Sequence, residues 1–256
     1  MKIIIFIFAV LFLLSSNSPV NAQREVPENP DGYYDLMFNK MIQGYEYMAA
    51  GNEPFWYLDL DVEGNLVFNL ASINEITTIP ISEMTVTENE NSISFSSEAK
   101  SFKAEFTLKD CFDDMSGNQY DYKVTITYQG TELYGCGNKL DGWALNDIFA
   151  LIEIEGQPVK EMKLQNQPMI ELHLRDKKIM GNDGCNTFNG GIIYAIFGKI
   201  KFNEGFVSTK MFCVENGGFE IKFYSALKSA DSYTFKKLRL KFFSEGKEVL
   251  EFVKMD

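Results

Sequence analysis

The 256-residue sequence lacks several features that would point to a catalytic or metal-binding protein. It contains one histidine, His173, and its four cysteines show no C-x-x-C spacing, which disfavours a zinc site. Its glycines follow no G-x-x-x-x-G-K pattern, which disfavours a phosphate-binding loop. We therefore expect neither a metal nor a cofactor.

Positive charge is also scarce. The chain has 24 lysines and arginines against 36 aspartates and glutamates, a net charge of −12. Nucleic acids and anionic membrane surfaces both require a basic footprint on the protein, so neither is expected as a partner. An acidic surface is typical of a soluble secreted protein. A cationic partner is the alternative interpretation.

The sequence has no long apolar segment at its N-terminus. Residues 3–14 are apolar, follow Lys2, and precede the small residues before Gln23. A membrane span needs about 20 apolar residues, whereas this pattern is typical of a secretory signal peptide over residues 1–22. No cysteine follows the apolar segment, so a lipid anchor is not supported. We expect a mature chain that begins near Gln23, without a membrane span, in the periplasm or outside the cell.

The four cysteines all lie in the predicted mature chain. An even number in an exported protein favours disulfides, and the spacing favours local pairing among the three possible arrangements. The predicted bonds are Cys111–Cys136 and Cys185–Cys213. Each closes a loop that stabilises the fold by roughly 3.5 kcal/mol in the chain-entropy treatment.

The hydrophobic periodicity predicts an α+β fold that is mostly antiparallel β. An N-terminal segment (residues 23–44) with apolar residues near helical spacing precedes two small β-rich domains, at residues 45–140 and 141–256. Alternating residues in both domains predict half-buried strands. Examples are Phe102, Ala104, Phe106 and Leu108; Ile152 and Ile154; and Leu238, Leu240 and Phe242.

One apolar stripe in the second domain has the period of a helix. It consists of Phe219, Phe223, Ala226, Leu227 and Ala230. This spacing predicts an amphipathic helix packed on the antiparallel sheet. The joint before Trp143 is short, so we expect the two domains to pack together.

The most unusual segment is residues 180–191, which contains four glycines, three asparagines, an aspartate and Cys185 between two predicted strands. A second segment, Ser208-Thr209-Lys210-Met211-Phe212-Cys213, follows it. The glycines are expected to supply the backbone angles of tight turns around a disulfide.

These two segments, with Trp143-Ala144-Leu145 before them, resemble the META domain of HslJ-type heat-shock proteins. The resemblance covers residues 143–256 and is carried by Gly184-Cys185-Asn186 and Thr209-Lys210-Met211-x-Cys213. It implies an exported or envelope-associated protein linked to stress, with no catalytic residues to transfer. Residues 45–138 are similar to an uncharacterised domain of bacterial envelope proteins. That similarity is carried by Gly51-Asn52-Glu53-Pro54-Phe55-Trp56, Cys111-x-x-x-Met115-Ser116-Gly117 and Gly135-Cys136-Gly137.

Other candidate sites have a simpler structural interpretation. His173 lies on the polar side of an alternating strand, which favours a solvated residue over a catalytic base. Residues 59–65 imitate the start of a calcium loop but read as a hairpin turn. Asp113, Asp114 and Asp183 could form a carboxylate pair for glycoside hydrolysis, although acidic turn residues are commoner. Trp56 and Trp143 are expected in the core.

The sequence therefore predicts a non-enzymatic, exported cell-envelope protein of the stress-response class that binds an unknown envelope or secreted protein. The predicted binding surface comprises Asn182, Asp183, Asn186 and Thr209. One alternative is an acidic inhibitor of a cationic hydrolase such as lysozyme. The other is a hydrolase that uses carboxylates.

Overall fold

The structure is a computed structural model that describes residues 32–61, 64–211 and 218–255. The predicted signal peptide lies outside the described residues. So does Cys213, and with it the predicted Cys185–Cys213 pairing.

The first half of the chain forms a curved, nine-stranded antiparallel sheet, a half-barrel. Its order is β4-β3-β2-β1-β9-β8-β7-β6-β5, so two meanders are joined through the pairing of β1 with β9. Strands β4 and β5 follow each other in the chain but lie at opposite edges. The strands are β1 (Tyr45–Asn52), β2 (Phe55–Asp61), β3 (Asn65–Leu70), β4 (Glu75–Pro80), β5 (Thr85–Glu88), β6 (Ser92–Ser97), β7 (Phe102–Phe112), β8 (Gln119–Tyr128) and β9 (Thr131–Lys139).

The second half forms a closed barrel, because β10 pairs with both β12 and β19. The ring runs β10-β12-β13-β14-β15-β17-β18-β19, with β11 paired to β10 and β16 to β14. The strands are β10 (Ile148–Ile154), β11 (Gln157–Pro158), β12 (Met169–His173), β13 (Lys178–Asn182), β14 (Thr187–Ile196), β15 (Lys199–Phe202), β16 (Val207–Ser208), β17 (Ser232–Lys236), β18 (Arg239–Ser244) and β19 (Lys247–Lys254).

Two α-helices occur in the described part of the chain, α1 (Tyr33–Gln43) and α2 (Phe219–Ser229). Helix α2 contacts β15, β18 and β19 of the barrel and buries the predicted stripe, including Phe223 and Leu227. The predicted class, mostly antiparallel β with one helix packed on the second sheet, is confirmed. Among the described residues, no helix is long and apolar enough to cross a membrane.

The alternation of residues predicted the strands well but failed where the pairing is irregular. Leu108 is exposed because it lies where the β7–β8 register shifts. In β10 a register shift follows Leu151, so Leu151 and Ile154 are buried and Ile152 is not. Leu238 lies in the turn before β18, with a positive φ of 64°, and is exposed. A β-bulge changes the face of the following residues, and alternation alone does not reveal it.

Helix α1 joins the two sheets. Its apolar side is buried in one core that contains residues of both halves, including Met48 and Cys136 of the first sheet and Phe149 of the barrel. Asn138 donates a hydrogen bond of 2.6 Å to the Tyr33 hydroxyl. Such a buried side-chain bond fixes the helix on the first sheet, because breaking it would leave a polar group unpaired.

Further polar contacts hold α1 on both sides. The Lys40 ammonium lies 2.6 Å from the Asp59 carboxylate of β2. On the barrel side, Lys177 donates a hydrogen bond to Asn39. The helix is therefore tied to each sheet by at least one charged or polar side chain.

The joint between the sheets, residues 140–147, allows this close packing. A Cβ on Gly142 would lie 2.8 Å from the Met41 sulfur and 3.0 Å from the Ala195 carbonyl oxygen. Only glycine fits between α1 and β14 at this distance. Leu140 and Leu145, on either side, are buried in the shared core, as expected for a short joint.

The first predicted disulfide is present. Cys111 of β7 is bonded to Cys136 of β9, and both residues are buried in the core that α1 shares with the barrel. This confirms the local pairing for the first half of the chain.

We predict that Phe38→Ala lowers the free energy of unfolding by about 3–5 kcal/mol, because it leaves a cavity in a fully packed core. Phe38 is 0% exposed, whereas Leu36 on the same helix is 53% exposed. The matched control Leu36→Ala should change stability by less than about 0.5 kcal/mol. Urea unfolding followed by circular dichroism measures both. Equal effects would contradict the burial of this face of α1.

Candidate functional site

The glycine-rich segment forms a tight turn between β13 and β14. We call residues 182–186 the polar turn. The Asp183 N–H donates to the Asn186 carbonyl oxygen at 2.9 Å, and the Gly184 N–H donates to the Asn182 side chain at 2.7 Å. Gly184 has a φ of 92°, which glycine adopts without strain. The predicted role of this glycine is therefore confirmed.

Asp183 organises the turn from the inside. It is 1% exposed, and its Oδ1 accepts hydrogen bonds from the N–H groups of Cys185 and Asn186 at 3.0 and 2.6 Å. Its Oδ2 accepts from the Tyr224 hydroxyl of α2 at 2.8 Å. Burial, together with this hydrogen bond, raises the pKa of Tyr224 well above its usual value. The carboxylate thus fastens the polar turn to the helix.

Asn186 connects the polar turn to the second motif segment. It is 4% exposed, and its Oδ1 accepts hydrogen bonds from the Thr209 hydroxyl at 2.9 Å and from the Met211 N–H at 2.7 Å. Its side-chain nitrogen lies 3.3 Å from the Cys185 sulfur. Gly184-Cys185-Asn186 and Thr209-Lys210-Met211 therefore form one hydrogen-bonded unit. Cys185 is itself disulfide-bonded.

This geometry corrects the predicted binding surface. Asp183 and Asn186 are buried, and their side chains bind other parts of the same chain, so their assignment to a surface is wrong. Of the other two residues, Asn182 is partly exposed and Thr209 is exposed. The polar composition of these residues predicted a surface. Polar side chains are also needed in a buried tight turn, because its backbone N–H and C=O groups require hydrogen-bond partners.

Sequence reasoning missed Tyr224, which holds Asp183. Tyr224 lies beside the buried Phe223 of the helical stripe, on the border between the apolar and polar faces. A tyrosine at that position can bury its ring and still donate through its hydroxyl. Its acceptor, 41 positions earlier in the chain, has no local signal.

A cleft of about 610 Å³ lies beside the Cys111–Cys136 bond, and we call it the disulfide cleft. Asp113 and Asp114 line it. Asp113 accepts hydrogen bonds from the Ser116 N–H at 2.9 Å and from the Ser116 hydroxyl and the Asn52 side chain. Burial raises the pKa of Asp113, but these hydrogen bonds outweigh it and hold the pKa below the usual value.

That environment does not suit a catalytic acid. A general acid in glycoside hydrolysis needs a raised pKa, whereas the pKa of Asp113 is lowered because its carboxylate caps a turn. Asp183 does not line this cleft; it is buried in the polar turn of the barrel. The three aspartates therefore do not form one carboxylate pair.

The remaining sequence candidates have structural partners. His173 lies beside Glu171, with 3.0 Å between Nε2 and Oε1, on the partly exposed face of β12. The segment that imitates a calcium loop is the β2–β3 hairpin, in which Asp59 pairs with Lys40 and Asp61 accepts from the Asn65 N–H at 3.0 Å. Trp56 is fully buried in the core. Trp143 is partly exposed, and the Arg175 guanidinium lies 5.7 Å from its ring centroid.

Three carboxylates, from Glu153, Glu248 and Glu251, approach within 4.8 Å of one another among the described residues. Lys241 lies 2.8 Å from Glu248 and 3.6 Å from Glu251, and Arg239 lies 3.2 Å from Glu251. The two basic side chains neutralise most of the charge of this acidic group, which forms an ion-pair network on the barrel.

Comparison with known proteins identifies the second half of the chain. Residues 143–256 match the family model described as META domain. This confirms the resemblance drawn from the two motif segments. No curated protein matches the chain.

Two solved structures are similar to part of the chain. One, described as "NMR structure of the protein", is 22% identical, covers 43% of this chain and 89% of its own, and has a TM-score of 0.34. The other, described as "NMR structure of the protein from Burkholderia xenovorans", is 17% identical, covers 43% of this chain and 82% of its own, and has a TM-score of 0.35.

We predict that Tyr224→Phe lowers the free energy of unfolding by about 1–2 kcal/mol, because the buried Asp183 carboxylate loses a hydrogen-bond donor. The control is Tyr134→Phe, which removes a hydroxyl from an exposed residue whose partner is Glu132. The control should change stability by less than about 0.5 kcal/mol. Urea unfolding at pH 7 compares the variants.

The pH dependence of the same comparison has a definite sign. The folded-state pKa of Tyr224 is raised above its usual value of 10.0. The Tyr224 hydroxyl therefore contributes to the free energy of unfolding below about pH 10, and this contribution is lost as the pH rises further. The difference between wild type and Tyr224→Phe should therefore shrink above pH 10. A difference that grew with pH would contradict the contact with Asp183.

Proposed function

We propose that this protein is an exported cell-envelope protein of the stress-response class that acts by binding another molecule rather than by catalysis. The match of residues 143–256 to the META domain carries this proposal. It gives the family of the second half. Other features of the chain favour export from the cytoplasm and binding rather than catalysis.

The disulfides support export. Cys111 is bonded to Cys136, and Cys185 is also oxidised. Disulfides persist mainly in secreted and periplasmic proteins, because cytosolic thiols are kept reduced. The predicted signal peptide over residues 1–22 agrees with this compartment.

The chemistry of the most polar segments favours binding over catalysis. Asp183 and Asn186 hold the polar turn, and Asp113 caps a loop with a lowered pKa. A nucleophilic mechanism needs a nucleophile, a base and an orienting group in contact, and the neighbour of His173 is Glu171 on the partly exposed face of β12. These residues have the surroundings of structural groups.

Cell fractionation tests the proposed location and role. With the full chain expressed in its native host, we expect a mature protein that begins near Gln23, found outside the cytoplasm with oxidised cysteines. Deletion of the gene should increase sensitivity to heat or cell-wall antibiotics. The wild-type gene should restore resistance, and a matched gene without codons 2–22 should not. A reduced cytoplasmic protein, or rescue by the leaderless form, would contradict the proposal.

The second candidate function is inhibition of a cationic hydrolase such as lysozyme, favoured by the net charge of −12. If it holds, the purified protein should slow lysozyme-driven clearing of a cell-wall suspension at near-equimolar ratio. An unrelated protein of similar negative charge is the control for charge alone. Equal slowing by both proteins, or none, would exclude this function.

A further inference from the structure

The open end of the half-barrel, next to the joint, contains a cavity of about 520 Å³. Its lining comes from β1, β2, β5, β6 and β9 and from the joint, and it includes Tyr47 and Trp143. We call it the acidic cavity, because Glu46, Asp61, Glu88 and Asp141 also line it. Cavities of about 300–1,000 Å³ hold small organic ligands in proteins.

The floor of the acidic cavity is aromatic. The Tyr47 ring packs edge-on against Phe95 and Phe106, with centroids 5.6 and 5.4 Å apart. The side chain of Lys139 already places its ammonium 5.6 Å from the Tyr47 ring centroid. Aromatic faces attract ammonium groups within about 6 Å. This floor therefore suits a cation attached to an aliphatic chain.

The lining carries an excess of negative charge. Four carboxylates face one ammonium, that of Lys139, which leaves a net charge of −3. Asp61 accepts the Asn65 N–H. The carboxylates of Glu46, Glu88 and Asp141 have no ion pair or hydrogen bond to any residue in the described ranges. All three residues are exposed to solvent, so their carboxylates are accessible to a ligand.

The Tyr47 hydroxyl is a second, independent indication that the acidic cavity binds a ligand. The residue is only 4% exposed, yet its hydroxyl forms no hydrogen bond with the described part of the chain. Burial and the charges of Glu88, Glu46 and Asp141 raise the pKa of Tyr47 to about 12. The phenol therefore stays neutral and can accept a hydrogen bond from a bound cation. The hydroxyl is not among the polar atoms that the fold seals from solvent, so a ligand that enters the acidic cavity can reach it.

The spacing of the carboxylates disfavours a metal ion. Calcium and magnesium require several oxygens at about 2.0–2.6 Å from one centre. Within the described residues, the only three acidic side chains that converge within 4.8 Å are those of the barrel network. No three carboxylates of the acidic cavity converge in this way, which fits an elongated ligand with separated positive charges.

We propose that the acidic cavity binds an alkylammonium ligand. Its ammonium groups contact the carboxylates of Glu46, Glu88 and Asp141, and its aliphatic chain lies along Tyr47 and Trp143. The source is either a free polyamine or a lysine side chain of a partner, since both have this chemistry. The proposal does not depend on the cellular location or on a role in stress.

Isothermal titration of the purified full chain with spermidine tests the proposal, with trilysine peptide as the second ligand. Saturable one-to-one binding of spermidine alone indicates a free polyamine, and tighter binding of trilysine indicates a lysine side chain. The uncharged 1,8-octanediol and magnesium chloride are the controls for apolar contact and for charge alone. Absence of saturable binding of both amines, or equal binding of either control, overturns the proposal.

Paired variants locate the binding. The double variant Glu88→Gln, Asp141→Asn should weaken binding about fivefold, since it removes two exposed ion pairs that together contribute roughly 1 kcal/mol. The matched control Glu90→Gln, Asp114→Asn removes the same charge from exposed residues that do not line the acidic cavity. It should change affinity less than twofold. Equal loss in both would assign the binding to net charge and overturn the site.

Tyr47→Phe separates binding from folding. The ring and its packing remain, and the lost hydroxyl has no partner among the described residues, so thermal unfolding should be unchanged. Amine affinity should fall about two- to fivefold, as expected for one hydrogen bond to a charged group at a site that water reaches. An unchanged affinity would show that the hydroxyl does not contact the amine, which would contradict the proposed site.

Discussion

The burial of α1 between the two sheets is the interaction on which the arrangement of the molecule depends. Met37, Phe38 and Met41 of α1 belong to one core with residues from both halves of the chain. Buried apolar area of this kind contributes about 25 cal/mol per Å². The polar contacts Asn138–Tyr33 and Lys40–Asp59 then fix the direction of the helix.

Because α1 holds the joint in place, it also shapes the acidic cavity. Asp141 and Trp143 belong to the joint, and Glu46 and Tyr47 begin β1 immediately after the helix. The strand order of the half-barrel places Glu46 and Tyr47 relative to β5 and β6, and the packing of α1 against Gly142 places Asp141 and Trp143. A binding site whose walls come from separately held elements keeps its geometry only if those elements are rigid with respect to each other.

The sequence predicted local structure more reliably than the location of polar groups. Helical stripes, strand alternation and the Cys111–Cys136 pairing all have signals within a few tens of residues, and these predictions agree with the structure. The bulges near Leu108 and Leu151 have no such local signal, because one additional residue in a strand does not change the types of residue around it. Composition also did not show that Asp183 faces inward, since its partner Tyr224 comes from a distant helix. The acidic cavity could not be predicted from the sequence at all. Its residues Glu46, Glu88 and Asp141 are spread along about a hundred positions, and the strand order brings them together.

Both sheets are completed by a pairing between an early and a late strand, β1 with β9 and β10 with β19. Until β9 has been synthesised, the two meanders of the half-barrel are separate pieces, and until β19 is present the barrel has two open edges. Pairings so distant in sequence form slowly, because a long loop must close first. Open edges can meanwhile pair with other chains. The order of the strands therefore leaves each sheet incomplete until the last strand of its half has been synthesised, and the ring of the barrel loses its open edges only when β19 pairs with β10.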